Sequence, residues 1–237
     1  MTNTRFITYK DTKNCYLCSM NSARRTICLT LVLVGLICSC TPKGWSEWEK
    51  TVITQSDSVM YVCVMPQDSA ILRATSTNLG PEELKSAELK TLLDKMYRTL
   101  TDPSQDGVGI AAPQIGINRR MVLVMRYDKP GQPIEPYLNI QIDSLLGEKE
   151  PGPEGCLSVP PYRGIVRRYP RIQISYVKPD GTPVTENVEG YSAVIFQHEC
   201  DHLDGILYID RADTVTVNEA WAAEREAFSY ERPAWWK

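Results

Sequence analysis

Beyond residue 80 the apolar positions follow two different periods. After Pro81, residues Leu84, Leu89, Leu92, Leu93, Met96 and Leu100 recur at helical spacing and stop at "TDPS". This predicts a helix over 81–100 whose leucine stripe packs into a core. Four shorter runs come next: "RMVLVMRY" (120–127), "PYLNIQI" (136–142), "GIVRRY" (164–169) and "RIQISYVK" (171–178). Pro and Gly clusters bound them, as they bound strands, and "KPDGTP" (178–183) has the residues of a hairpin turn. A second helix is expected from near Tyr191 to near Gly205. Strands followed by a helix that packs on them indicate an α+β domain. The closing stretch, "VNEAWAAEREAFSYERPAWWK", suits a third helix with a Trp-rich end that packs on the same domain.

One apolar run obeys neither period. "ICLTLVLVGLI" (27–37) is about eleven residues long, whereas a membrane span needs about twenty. Its length is that of a signal-peptide core, and Arg24 and Arg25 supply the positive flank. The segment from Met20 is a complete signal sequence in itself, so Met20 is read as the start. The run ends in "ICSC", where Ser39–Cys40 resembles a bacterial lipobox, with Cys38 an imperfect match. Residues 1–40 are thus expected to be an address, with Cys40 lipidated. Residues 41–58, polar with two Trp, are expected to be a tether, and 59–237 the folded domain. The corresponding location is an exported, membrane-anchored lipoprotein, or the cytoplasm if the start is set wrongly.

Composition changes this picture only by exclusion. Hydrophobic content of 43% and charged content of 23% are those of an ordinary globular protein. A net charge of −3 gives no general affinity for nucleic acid. Of the eight cysteines, Cys15, Cys18, Cys28, Cys38 and Cys40 crowd the first forty residues, leaving Cys63, Cys156 and Cys200. That spread is no disulfide framework.

The chain has two histidines, and both lie in "QHECDH" (197–202). On a helix, residues i and i+4 project from one face, so His198 and His202 can meet a single metal ion. Glu199, rotated about 100° from His198, would sit beside that ion and take a proton from its water. An open catalytic site wants a third protein ligand, and no histidine remains to supply it. Glu219 and Glu224 lie at the downstream distance used by thermolysin-like proteases. Among the cysteines, Cys200 points to another helix face, and Cys63, in "YVCVM", reads as a small buried hydrophobe. Cys156 lies in the Gly- and Pro-rich "PGPEGCLSVPP", which can present a thiolate and backbone N–H groups to one point.

"GVGIAAPQIG" (107–116), "EGCLS" (154–158) and "QHECDHLDG" (197–205) together resemble the three motifs of the peptide deformylases, in order and at sensible spacing. The resemblance runs from about residue 60 to 210. It implies an α+β fold with antiparallel sheets around the HExxH helix, and Cys156, His198 and His202 as metal ligands. Glu199 would be the general base and acid, and Gln114 with the Leu157 N–H would stabilise the oxyanion. Gly109 would pair with an extended substrate, with Arg163 touching it as well. The implied cofactor is one divalent ion, Fe2+ by family habit, although Zn2+, Ni2+ or Co2+ suit the same ligands. The implied reaction removes formyl from formyl-Met peptides or nascent protein N-termini. Two other readings stay open at this point: an exported HExxH zinc endopeptidase, for which Glu219 or Glu224 would matter, and a formyl-peptide-binding lipoprotein without turnover. Export itself sits uneasily with a reaction that acts on nascent chains.

Overall fold

The computed structural model describes residues 44–105 and 107–219, together with 222 and 232–236. These fall within the unit Cys40–Lys237. The apolar run, Cys40 and most of the closing stretch lie outside the described residues.

The first described element corrects the tether. Helix α1 (Glu47–Gln55) begins with a capping box, in which the Ser46 hydroxyl and the Glu49 carboxylate each accept from the other's backbone N–H. Val52 and Ile53 are fully or almost fully buried in a core shared with Trp45, Leu92 and Met96. Arg119 bonds the Glu49 carboxylate through Nε (2.5 Å) and Nη2 (3.0 Å). The polar composition of 41–58 hid a short amphipathic helix, whose apolar face shows only when the cap fixes its start.

A single turn, α2 (Ser69–Leu72), precedes α3 (Ala87–Leu100). The predicted helix over 81–100 starts late because the Ser86 hydroxyl accepts from the Leu89 N–H and caps α3 there. Residues Glu83–Lys85 form a 3-10 turn instead. Leu89, Leu92, Met96 and Leu100 are buried as the stripe requires.

The strands are β1 (Gly109–Ala111), β2 (Met121–Met125), β3 (Ile134–Leu146), β4 (Glu150–Gly155), β5 (Tyr162–Arg168), β6 (Arg171–Val177), β7 (Pro183–Glu189) and β8 (Thr214–Val217). They make a five-stranded sheet in the order β1-β2-β3-β6-β7 and a three-stranded sheet in the order β4-β5-β8, with every pair antiparallel. The expected hairpin joins β6 to β7, closed by the Lys178 N–H on the Thr182 carbonyl. Strand β4, "EPGPEG", lies within a stretch read as a loop. It is an edge strand, where proline's missing N–H costs the ladder nothing on its open side.

Helix α4 (Gly190–Leu203) lies between the sheets. Ala193, Phe196, Cys200 and Leu203 pack against Val122, Val124, Tyr137, Ile172 and Ile174 of the larger sheet. Another face meets the end of β5 through polar bonds, Asp201 to Arg168 and Gln197 to the backbone of Tyr169 just past the strand. The helix ends in a Schellman motif: the Ile206 N–H bonds the Asp201 carbonyl and the Gly205 N–H bonds that of His202. Gly205 takes φ +72° there, with the Arg73 backbone where a Cβ would project. Among the described residues no helix is long and apolar enough to cross a membrane. The α+β expectation, with antiparallel sheets around the HExxH helix, holds.

Candidate metal centre

One helical turn brings His198 and His202 together, with ring centroids 5.1 Å apart. Cys156 enters from the loop after β4, its Sγ 3.2 Å from His202 Nε2. The ligand atoms of Cys156, His198 and His202 all lie within 4.8 Å of one another. Among the described residues this is the cluster with donors for a metal ion. The competing positions lie elsewhere: Cys63 is in the N-terminal core, Cys200 in the core under the larger sheet, and Glu219 is exposed. Glu224 lies outside the described residues.

A chain of charges fixes the histidine on the cleft side. His198 Nδ1 is 2.8 Å from Glu154 Oε2, which leaves Nε2 to face the cluster. The Glu154 carboxylate is clasped by Arg168 through Nε (2.7 Å) and Nη2 (3.0 Å). Arg168 also donates to Asp201 (2.5 Å), which Arg211 grips with two further bonds. Burial would push the Glu154 carboxyl up, but the bonds from His198 and Arg168 overcome this and hold it at about 2. An ionised carboxylate behind a ligand histidine sets its tautomer and ring direction. In the sequence Glu154 stands only as the first residue of "EGCLS". Arg168, Asp201 and Arg211 come from separate elements and share no spacing that would single them out.

Glu199 is 4% exposed, and its Oε2 has no hydrogen-bond partner. Burial raises its carboxyl to about 7, with His198 opposing and Glu154 adding to the rise. A carboxyl poised near neutrality can both accept and return a proton. Gly109, on the edge strand β1, makes room for it: a Cβ there would stand 2.5 Å from Glu199 Oε1 and 2.8 Å from Ile195. As an edge, β1 also leaves backbone groups open on one side, as pairing with an extended chain requires.

Gln114 sits at the other lip, in the 3-10 turn Ala112–Ile115. Its Oε1 accepts from the Ala111 N–H (2.8 Å). That aims Nε2 at Ser158 Oγ (3.2 Å) and Cys156 Sγ (3.6 Å). Leu157 and Arg163 line the same cleft of about 660 Å3, together with Gly109, Gln114, His198 and Glu199. Tyr191, Val194 and Ile195 give it an apolar wall. Tyr208, which the sequence did not single out, stacks on His198 with ring centroids 6.1 Å apart. The structure thus brings together every site residue expected from the sequence except Cys40, which lies outside the described residues.

The chain's sequence matches the family model for polypeptide deformylase over residues 60–218. The chain belongs to that family. Among curated relatives, a peptide deformylase of Leptospira biflexa is 40% identical over 148 residues, 60% of this chain and 82% of the relative. Peptide deformylase 2 of Bordetella bronchiseptica is 43% identical over 141 residues, 57% and 79% of the two chains. Among solved structures, a Met-Ala-Ser-bound class I type b peptide deformylase from Acinetobacter baumannii superposes with a TM-score of 0.59 at 36% identity, covering 65% of this chain and 98% of its own. The peptide deformylase of Thermotoga maritima gives 0.58 at 35%, covering 65% and 99%. The deformylase region therefore leaves α1 and the Trp235–Trp236 pair outside the matched residues 60–218.

Proposed function

We propose that this chain is a metal-dependent hydrolase that removes the N-terminal formyl group of formyl-methionyl peptides and releases formate. The observation that carries this is the convergence of Cys156, His198 and His202 beside the buried Glu199 carboxylate, in a chain of the deformylase family. The Met-Ala-Ser bound to the Acinetobacter relative is what such a reaction leaves behind.

Cys156, His198 and His202 would hold the ion, and their chemistry fits one: a thiol and two imidazoles converge with their ligand atoms within 4.8 Å of one another. When bound, a divalent ion acidifies water and polarises the formyl carbonyl. Glu199 takes the proton of the attacking water and returns it to the leaving nitrogen. Gln114 Nε2, fixed by its own Oε1 bond to Ala111, donates to the oxygen that gains negative charge, joined by the Leu157 N–H. Gly109 and its neighbours hold the peptide backbone, with Arg163 on the same cleft. Ferrous iron is the ion we assign. A sulfur ligand and two nitrogens accept it as they accept zinc, nickel or cobalt.

The deciding assay measures formate released from formyl-Met-Ala-Ser by protein purified without oxygen and loaded with iron. The parent should turn over, and Glu199→Ala should lose on the order of 100-fold to 10,000-fold in kcat. A fully active Glu199→Ala would end this mechanism. Peptide binding without formate release would favour a binding protein instead.

We also propose that Cys40 carries a lipid. The helix α1 that follows begins at Glu47, and residues 41–46 reach at most about 20 Å when fully extended. Such an anchor holds the cleft close to a bilayer. Growth of cells expressing the full chain with an alkyne-labelled fatty acid tests it: the parent should take up the label and Cys40→Ser should not. A parent without label, or a Cys40→Ser variant that keeps it, would exclude a lipid on Cys40.

A further inference from the structure

Two parts of this chain outside residues 60–218 meet on the turn that carries Gln114. Gly116 closes that turn at φ +83°. Trp236, 6% exposed, lies on its bare Cα, and a Cβ at 116 would stand 2.3 Å from the indole. From the other side Trp48 of α1 donates its indole N–H to the Gly116 carbonyl at 3.0 Å. The two indoles pack edge to face, with centroids 5.1 Å apart at 81°. Tyr61 closes the cluster at 5.0 Å from Trp236.

Each arm of this clamp is anchored independently. Arg119 and the Glu49 carboxylate hold α1, and the Trp45 N–H bonds the Ser86 hydroxyl. Arg232 holds the second arm, donating to Asp68 (2.5 Å) and to the Gln67 carbonyl (2.8 Å). Between them, the Cys63 N–H bonds the Gln114 carbonyl at 2.7 Å. Two residues before Gly116, Gln114 therefore has its backbone carbonyl tied to 63 and its side-chain carbonyl to Ala111. Its one remaining freedom is movement of the turn as a body, and the tryptophans sit where they stop it.

We propose that Trp48 and Trp236 are positioning residues for Gln114. By clamping Gly116 they hold the Gln114 amide at the distance its donor role requires. The proposal rests on the oxyanion role given to Gln114 above. A donor that must meet a charge formed only in the transition state affects kcat more than KM. Loosening its support should do the same, to a smaller degree.

The test uses the full chain loaded with iron, in a double-mutant cycle of Gln114→Ala with Trp236→Ala and with Trp48→Phe. The second variant keeps an aromatic ring and removes the N–H together with the five-membered half of the indole, so it disturbs packing less and serves if Trp236→Ala does not fold. Gln114→Ala should lower kcat for formyl-Met-Ala-Ser on the order of 100-fold. Each tryptophan variant should lower it about 10-fold with KM unchanged, and should cost nothing further in the Gln114→Ala background. Amide hydrogen exchange gives a readout free of turnover. Exchange at Cys63 and Ala111, whose N–H groups bond Gln114, should speed up in both variants, while Ile174 in the far sheet should not change. Losses that add in the double variants overturn the clamp, as does unchanged exchange at 63 and 111. A parent that releases no formate refutes the catalytic reading, and the exchange result then decides the clamp by itself.

Discussion

Two buried polar clusters flank helix α4, and they treat their hydrogen bonds differently. Arg126, 1% exposed, spends its guanidinium fully. It bonds Asp128 at 2.8 and 2.6 Å, the Tyr137 hydroxyl at 2.6 Å and Glu186 at 2.9 and 3.3 Å. Its flat face lies over Tyr137 and Phe196. On the other side, the cleft and the layer behind it leave buried atoms unpartnered: Gln105 Oε1 and Glu199 Oε2 among the cleft-lining residues, His202 Nδ1 and the Tyr208 hydroxyl behind them. Among the described residues only two further buried side-chain atoms, Ser56 Oγ and Ser76 Oγ, share that state. A saturated cluster stabilises a fold, while an unsaturated one holds groups ready for something the protein has yet to bind.

Exchanging the roles of the two clusters should fail in opposite ways. The largest effect belongs to Cys156→Ala, which should abolish stoichiometric metal binding and with it formate release, while the protein stays folded. Metal analysis alongside circular dichroism checks this, and a variant that keeps its metal would disqualify Cys156 as a ligand. Next comes Arg126→Met. Removing one member of a buried charge cluster leaves Asp128 and Glu186 uncompensated and should cost about 3–5 kcal/mol in urea unfolding. Turnover per folded molecule should be unchanged, and a selective loss of kcat would dissolve the contrast.

The smallest effect is a pH dependence. Hydrogen bonds from Arg126 hold Asp128 at about 2, below its ordinary 3.8. Its contribution is therefore fully present above pH 3.8 and is lost as the pH falls toward 2. Stability measured between pH 5 and pH 2 should fall less steeply in Asp128→Asn than in the parent. Parallel curves would remove Asp128 from the account.

Sequence made some of this plain because period and chemistry coincide there. The stripe Leu89, Leu92, Met96 and Leu100 marks α3, and two histidines four apart mark the metal face of α4. Their scarcity made the second inference easy, since no other histidine competed. The Cys156 assignment needed the motif resemblance, because residues alone left Glu219, Glu224 and three cysteines open. Helix α1 was missed because Trp48, Val52 and Ile53 form an apolar face too short to stand out from polar neighbours. Strand β4 was missed because its two prolines forbid a central strand and are tolerated only at an edge. The charges behind His198 had no local signal. Glu154, Arg168, Asp201 and Arg211 are joined by the fold, and only the backbone path through β4, β5, α4 and the 3-10 turn Tyr208–Asp210 brings them together.

The stretch 197–202 has a consequence for how this helix can vary. Gln197 closes two bonds with the Tyr169 backbone, His198 and His202 face the thiol, Glu199 fills the space Gly109 leaves, and Asp201 takes two arginines. Cys200 makes no hydrogen bond and lies away from the metal cluster; burial keeps its thiol protonated, and it packs as an apolar side chain. Within 197–202, substitution is therefore easiest at Cys200, which is held by apolar packing alone. The other positions of that turn belong to the site or to its supports, so a change at one of them reaches the chemistry.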